Sequence, residues 1–247
     1  MNKHLKENEF YDINKFPSSK GICVYGISMP LIDKSHSPKK VFDAANSMIS
    51  KIKKTGVGDV IVYSDSLYFN SSKDAFDLKK KFQKQIEDHK SGYLKLVDKD
   101  IFLVTSAFSF VTWSQLMLDC PKFNFYFEKL VKIYEKDENF KKIVKEDILR
   151  AKKKVDKFSI NYILEEVLLD YLVAKGKARL RNDFVLDKEK WILHCYLGKP
   201  HKSHTYLFKN NLLKIKSDNC YEHTWYDLKE KKLYDFDRMN IETFDFS

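Results

Sequence analysis

Only seven glycines and five prolines are spread over the 247 residues, too few for a fibrous or low-complexity chain, which needs these residues in quantity. The four cysteines, Cys23, Cys120, Cys195 and Cys220, lie far apart with no Cys-x-x-Cys pair, so neither a disulfide framework nor a dithiol redox motif is indicated. No apolar run approaches the roughly 20 residues of a membrane-spanning helix. The first twenty residues are charged and polar rather than leader-like, and with the scattered cysteines they lead us to expect a reduced, cytoplasmic protein. Gly56-Val57-Gly58 lacks the rest of a dinucleotide or phosphate-loop fingerprint. No cofactor is expected.

Arginine is scarce as well, and the formal charge of +10 is carried almost wholly by lysine. Such a field concentrates anions, and nucleic acid is the first partner to consider. The bland alternative is a Lys-, Asn-, Ile- and Phe-rich chain whose lysines merely solvate its helices.

The length suits one sizeable domain and is short for two. We expect residues 1–20 to form a polar arm and 21–247 a single domain. Gly21-Ile22-Cys23-Val24-Tyr25-Gly26-Ile27 is an apolar run of the kind that forms a buried parallel strand. Ser37-Pro38 has the chemistry of a helix start, a capping hydroxyl followed by proline at the first helical position. Val41, Ala44, Ala45, Met48, Ile49 and Ile52 then recur at helical spacing. Asp59-Val60-Ile61-Val62-Tyr63-Ser64 reads as a second strand. Strand, helix, strand in this order makes a right-handed parallel crossover. Its natural continuation is a Rossmann-like, doubly wound α/β fold, a mostly parallel sheet flanked by helices.

Further along, residues 73–89 read as an amphipathic helix with Phe76, Phe82 and Ile86 apolar and Lys79, Lys80, Lys81 and Lys84 charged. The run at 101–105 has strand character, 122–174 turns helical, and Trp191-Ile192-Leu193-His194-Cys195-Tyr196 returns to strand before Gly198-Lys199-Pro200 terminates it.

The chemistry concentrates in two places. Ser28 closes the first strand as Gly26-Ile27-Ser28, at the carboxyl end where open α/β sheets hold their ligands. Tyr162 and Glu166 are four residues apart, so they share one helix face. There a carboxylate and a phenol can grip an ammonium group, the carboxylate as a charge-assisted acceptor. The bland alternatives are a turn hydroxyl for Ser28 and a half-buried Tyr beside a solvent-facing Glu, with Glu165 read as the solvated neighbour. His201 and His204 have no further ligands beside them, and no metal is expected.

Together these segments resemble the cyclodipeptide synthases, which are related to the class I tyrosyl- and tryptophanyl-tRNA synthetases. The stretch Tyr134-Glu135-Lys136-Asp137-Glu138-Asn139-Phe140-Lys141 is similar to that family's helical run of Tyr, Asp, Phe and a basic residue. The resemblance covers about residues 22–196. It implies two aminoacyl-tRNAs as substrates, no membrane and no metal, and a monomer. It implies that Ser28 accepts the first aminoacyl group as an ester, that the second aminoacyl-tRNA's amine attacks it, and that the dipeptide then cyclises. Tyr162 and Glu166 match the pair that holds the aminoacyl ammonium, Tyr196 matches a third catalytic hydroxyl, and Val24 and Gly26 fall at the substrate pocket. Lys79, Lys80, Lys81 and Lys84 occupy the place of the family's tRNA-binding basic helix, with Lys where the family has Arg. Leu31 and Leu197 depart from the family pattern. A basic tRNA- or RNA-binding protein of the same fold, without turnover, is the competing reading.

Overall fold

The computed structural model describes residues 21–52, 57–66, 75–98, 107–151, 153–178, 191–196, 198–215, 222–229 and 232–235. The expected arm at 1–20, the run at 101–105, Leu197 and Cys220 lie outside the described residues. The first strand, β1 (Gly21–Ile27), pairs in parallel with β2 (Val57–Tyr63) on one side and β4 (Trp191–Tyr196) on the other. Beyond β2 lies β3 (Ala107–Thr112), so the described third strand begins after the run at 101–105. Beyond β4 lie β5 (Glu222–Asp227), parallel, and β6 (Lys232–Asp235), antiparallel.

The sheet order β3-β2-β1-β4-β5-β6 confirms the doubly wound, mostly parallel α/β fold. It also locates the crevice: the chain winds outward from β1 to β3, then resumes at β4 on β1's other side. Open sheets bind ligands outside the carboxyl ends of the strands at such a switch point, and Ser28 follows β1 there.

Alternation along β1 assigns each side chain to a face. Cys23, Tyr25 and Ile27, with Ile61, Tyr63, Leu193 and Cys195, pack against α1 (Pro38–Ile52) and α2 (Ala75–Val97). Helix α1 starts at the proline that the sequence nominated, and α2 runs a further two turns past residue 89. Val24, Val60 and Val62 face the second layer, built from α3 (Trp113–Leu118), α4 (Phe123–Lys136), α5 (Glu138–Arg150), α6 (Lys157–Ala174) and α7 (Lys202–Lys209). The run from Tyr134 to Lys141 is not one helix. Asp137 ends α4 and caps α5, accepting from Phe140 N–H at 2.9 Å.

Helix α6 is the centre of this layer. Asp156 caps it by accepting from Ser159 N–H at 2.9 Å, and α4, α5 and α7 enclose it. Leu164, Val167, Leu168 and Leu172 are fully buried, and their burial alone is worth roughly 6–12 kcal/mol. A helix apolar nearly all round is a core helix. That corrects one sequence expectation: Glu165, taken for a solvated residue, is only 5% exposed.

Candidate functional site

Ser28 leaves β1 in extended conformation (φ −77°, ψ 122°) and precedes a short 3-10 turn, Met29–Leu31. Its N–H donates to His36 Nδ1 at 2.8 Å, which requires a lone pair on that nitrogen. Burial and the neighbouring His89 push His36 down to about 4, so the imidazole is neutral at physiological pH and suited to accept. His89 Nε2 donates to His36 O at 2.9 Å and its Nδ1 faces the Tyr63 hydroxyl at 2.9 Å. The turn after Ser28 is thereby pinned to α2 and β2.

Tyr196, at the end of β4, links this turn to the second layer. Its ring lies edge-on to His36, centroids 5.5 Å apart. A Cβ built on Gly26 would fall 2.9 Å from Tyr196 Cδ2, so position 26 admits no side chain while the ring stays in place. Val24 sits beneath, in the core. On the other side Tyr196 lines a cavity of about 480 Å³, together with Tyr162 and Glu166. Three of the four expected catalytic residues therefore share one cavity. Ser28, Val24 and Gly26 are not in its wall, and Tyr196 is the side chain that joins them to it.

The cavity's electrostatics are already partly satisfied from within. Burial disfavours charge on Glu166, but His201, whose Nε2 is 3.4 Å from Glu166 Oε2, holds the carboxyl below its usual range. Burial opposes charge on His201 too, yet Glu166 and Asp147 raise it to about 9. Lys153 Nζ lies 3.6 Å from the centroid of the Tyr162 ring. Burial lowers Lys153, against the pull of Glu166.

Glu165 points the other way. Its Oε1 accepts from Ser66 Oγ at 3.1 Å, and burial, reinforced by Asp65 and opposed by Ser66, pushes it up to about 7. Asp65 and Ser66 line a second cavity, of about 550 Å³, between α2 and the ends of β2 and β3. Lys79 lines this cavity as well. Lys79, Lys80, Lys81 and Lys84 are all exposed on α2. Lys84 pairs with Asp88 at 2.6 Å, and Lys80 sits 4.5 Å over the Phe76 ring.

No family model and no curated protein matches the sequence. Solved structures do. A cyclodipeptide synthase from Fluoribacter dumoffii superposes with a TM-score of 0.55 at 14% identity, covering 83% of this chain and 88% of that one. One from Staphylococcus haemolyticus gives 0.55 at 13%, covering 88% and 93%. One from Candidatus Glomeribacter gigasporarum, solved bound to Phe-tRNAPhe, gives 0.54 at 17%, covering 87% and 91%. The fold is that of the cyclodipeptide synthases.

Within this cyclodipeptide synthase fold, sequence reasoning missed His201, Asp147 and Lys153. His201 was noticed only as half of a His-x-x-His spacing, and among the described residues no cluster able to hold a metal ion forms there. His204 instead meets Asp170, Nε2 to Oδ2 at 2.8 Å, and His194 Nδ1 lies 3.4 Å from Asp170 Oδ1. No helix among the described residues is long and apolar enough to cross a membrane.

Proposed function

We propose that this protein joins the aminoacyl groups of two aminoacyl-tRNAs into a cyclic dipeptide, with Ser28 as the nucleophile. One observation carries the proposal: Tyr162, Glu166 and Tyr196 line one cavity at the switch point, and Tyr196 packs on the glycine two residues before Ser28. Ser28 Oγ attacks the ester carbonyl of the first aminoacyl-tRNA. The ester C–O bond breaks, and the terminal ribose oxygen leaves with the proton that Ser28 gives up. Each of the two amide bonds of the ring then forms as an ester bond breaks, and both tRNAs are released. The ester already stores the activation, so no nucleotide is consumed.

Glu166 receives the reacting amine, first as an ammonium and then as the acceptor of its proton. Tyr162 adds a hydroxyl and a ring face to the same grip. Lys79, Lys80, Lys81 and Lys84 contact tRNA phosphates without reading sequence. All these residues belong to one chain, so a single-domain monomer acting in the cytoplasm suffices. The family member bound to Phe-tRNAPhe supports the substrate class.

The competing reading, a tRNA-binding protein without turnover, draws on the internal pairing of the cavity, where His201 and Lys153 already meet Glu166 and Tyr162. Radiolabelled aminoacyl-tRNA separates the two. Label becomes covalently attached to the enzyme and is absent from Ser28→Ala, whereas a binding protein takes up no covalent label in either form.

A further inference from the structure

We infer that His201 is a positioning residue that aims Glu166 into the cavity and keeps it ionised. The inference rests on the proposed reading that Glu166 serves the reacting amine. It comes from how the corner at residues 200–203 is fixed. His201 holds the N-cap position of α7 (φ −65°, ψ 142°), yet its side chain makes no cap bond. The capping is done from α5: Asp147 accepts from Lys202 N–H at 3.0 Å, Ser203 N–H at 2.9 Å and Ser203 Oγ at 2.7 Å. Arg150 reaches from the same helix to Pro200 O at 3.4 Å. Relieved of capping, the imidazole turns towards α6.

Its orientation is held from several sides. The ring stacks on His204, centroids 5.8 Å apart and planes 18° from parallel. Nδ1 lies 3.7 Å from Asp147 Oδ1 and 3.0 Å from Arg150 Nη2, and Nε2 faces Glu166 Oε2 at 3.4 Å. Neutral His201 accepts from Arg150 at Nδ1, and charged His201 forms an ion pair with Asp147. In both states Nε2 carries the proton and points it at Glu166.

The other charges around Glu166 make this partner decisive. Burial and Asp170, one turn along α6, both raise the carboxyl. His204 lowers it by charge alone, and Lys153 and His194 also lie within its field. Of these groups, His201 is the one whose ring nitrogen lies within ion-pair distance of Glu166, Nε2 to Oε2 at 3.4 Å. Without His201 only the weaker pull of His204 and Lys153 is left against burial and the like-charged Asp170, and the balance moves towards the protonated form.

Two readouts on the full-length protein test the inference. The first needs no activity. In ¹⁵N-histidine NMR the His201 ring stays doubly protonated up to about pH 9 in the wild type, and Glu166→Gln moves that titration down. Titration in the ordinary histidine range with either residue at 166 overturns the pairing. The second follows kcat/KM for cyclic dipeptide formation against pH. His201→Phe moves the acid limb upward and lowers kcat by roughly 10- to 100-fold, the worth of a hydrogen bond to a charged group. His201→Gln, which keeps a donor in place of Nε2, restores most of kcat. Thermal melts confirm that both variants fold, and an unmoved acid limb in folded His201→Phe overturns the role. If the wild type forms no cyclic dipeptide, the functional reading fails and the positioning role with it, while the NMR titration still reports on the pair itself.

Discussion

Lys153 Nζ sits 3.6 Å from the centroid of the Tyr162 ring, on the aromatic face that the proposed function gives to the substrate ammonium. The protein carries its own cation in that place. A substrate amine entering as an ammonium must displace it, and a cation–π contact is worth about 0.5–2 kcal/mol. Lys153→Met, which keeps the stem and removes the charge, is expected to lower KM for aminoacyl-tRNA by roughly 2- to 30-fold while kcat changes less. Steady-state kinetics with one charged tRNA held in excess measure this, and a raised KM would instead make Lys153 a contributor to substrate binding.

The two adjacent carboxylates of α6 have opposite surroundings, and their amide variants are expected to behave differently. Burial raises Glu165 to about 7, so the folded state binds its proton more tightly than the unfolded chain. Stability is then lost as pH rises from the ordinary Glu range through about 7. Glu165→Gln removes that cost, a gain of up to roughly 3 kcal/mol at pH 8, and changes little at pH 4. Glu166→Gln abolishes product without a comparable gain. Urea denaturation at both pH values distinguishes them, and a Glu165→Gln variant of wild-type stability at pH 8 contradicts the assigned environment.

Gly26→Ala places a methyl group 2.9 Å from Tyr196 Cδ2. The ring must shift, at an overpacking cost of about 1–3 kcal/mol, and the tie between Ser28's strand and the Glu166 cavity loosens. We expect a lower melting temperature and a fall in product formation larger than the loss of folded protein explains. Activity that merely follows folded fraction assigns Gly26 to packing alone.

Lys79, Lys80, Lys81 and Lys84 are expected to hold tRNA phosphates. Each contact removed lowers the slope of log affinity against log salt by about one unit or a little less. The quadruple Gln variant therefore loses orders of magnitude in tRNA affinity at physiological salt and keeps its fold. An unchanged slope moves the binding surface elsewhere, towards the lysines around Lys141.

Much of this fold was legible because buried parallel strands announce themselves as apolar runs. The β4 expected at 191–196 has those bounds, and α1 begins at Pro38. The third strand was harder: apolar residues continue from 101 to 111, and composition alone does not say which part pairs with β2. Glu165 was misread because a polar residue on a helix was assumed to face water, whereas α6 is enclosed: Glu166 lines one cavity, and Glu165 is buried against Ser66 in the wall of the other. Tyr162 and Glu166 were readable as a local spacing. His201 was not, since its meeting with Glu166 and Asp147 is made by the packing of α5, α6 and α7 and leaves no local pattern.

The central claim is turnover at Ser28 on two charged tRNAs. Purified protein is incubated with a full set of aminoacyl-tRNAs, and the mixture is analysed by mass spectrometry for diketopiperazines. The account predicts one or a few cyclic dipeptides from the wild type and none from Ser28→Ala, with tRNA binding intact in both. Binding of tRNA by a folded wild-type protein that yields no cyclic dipeptide from any pair of aminoacyl groups would contradict it.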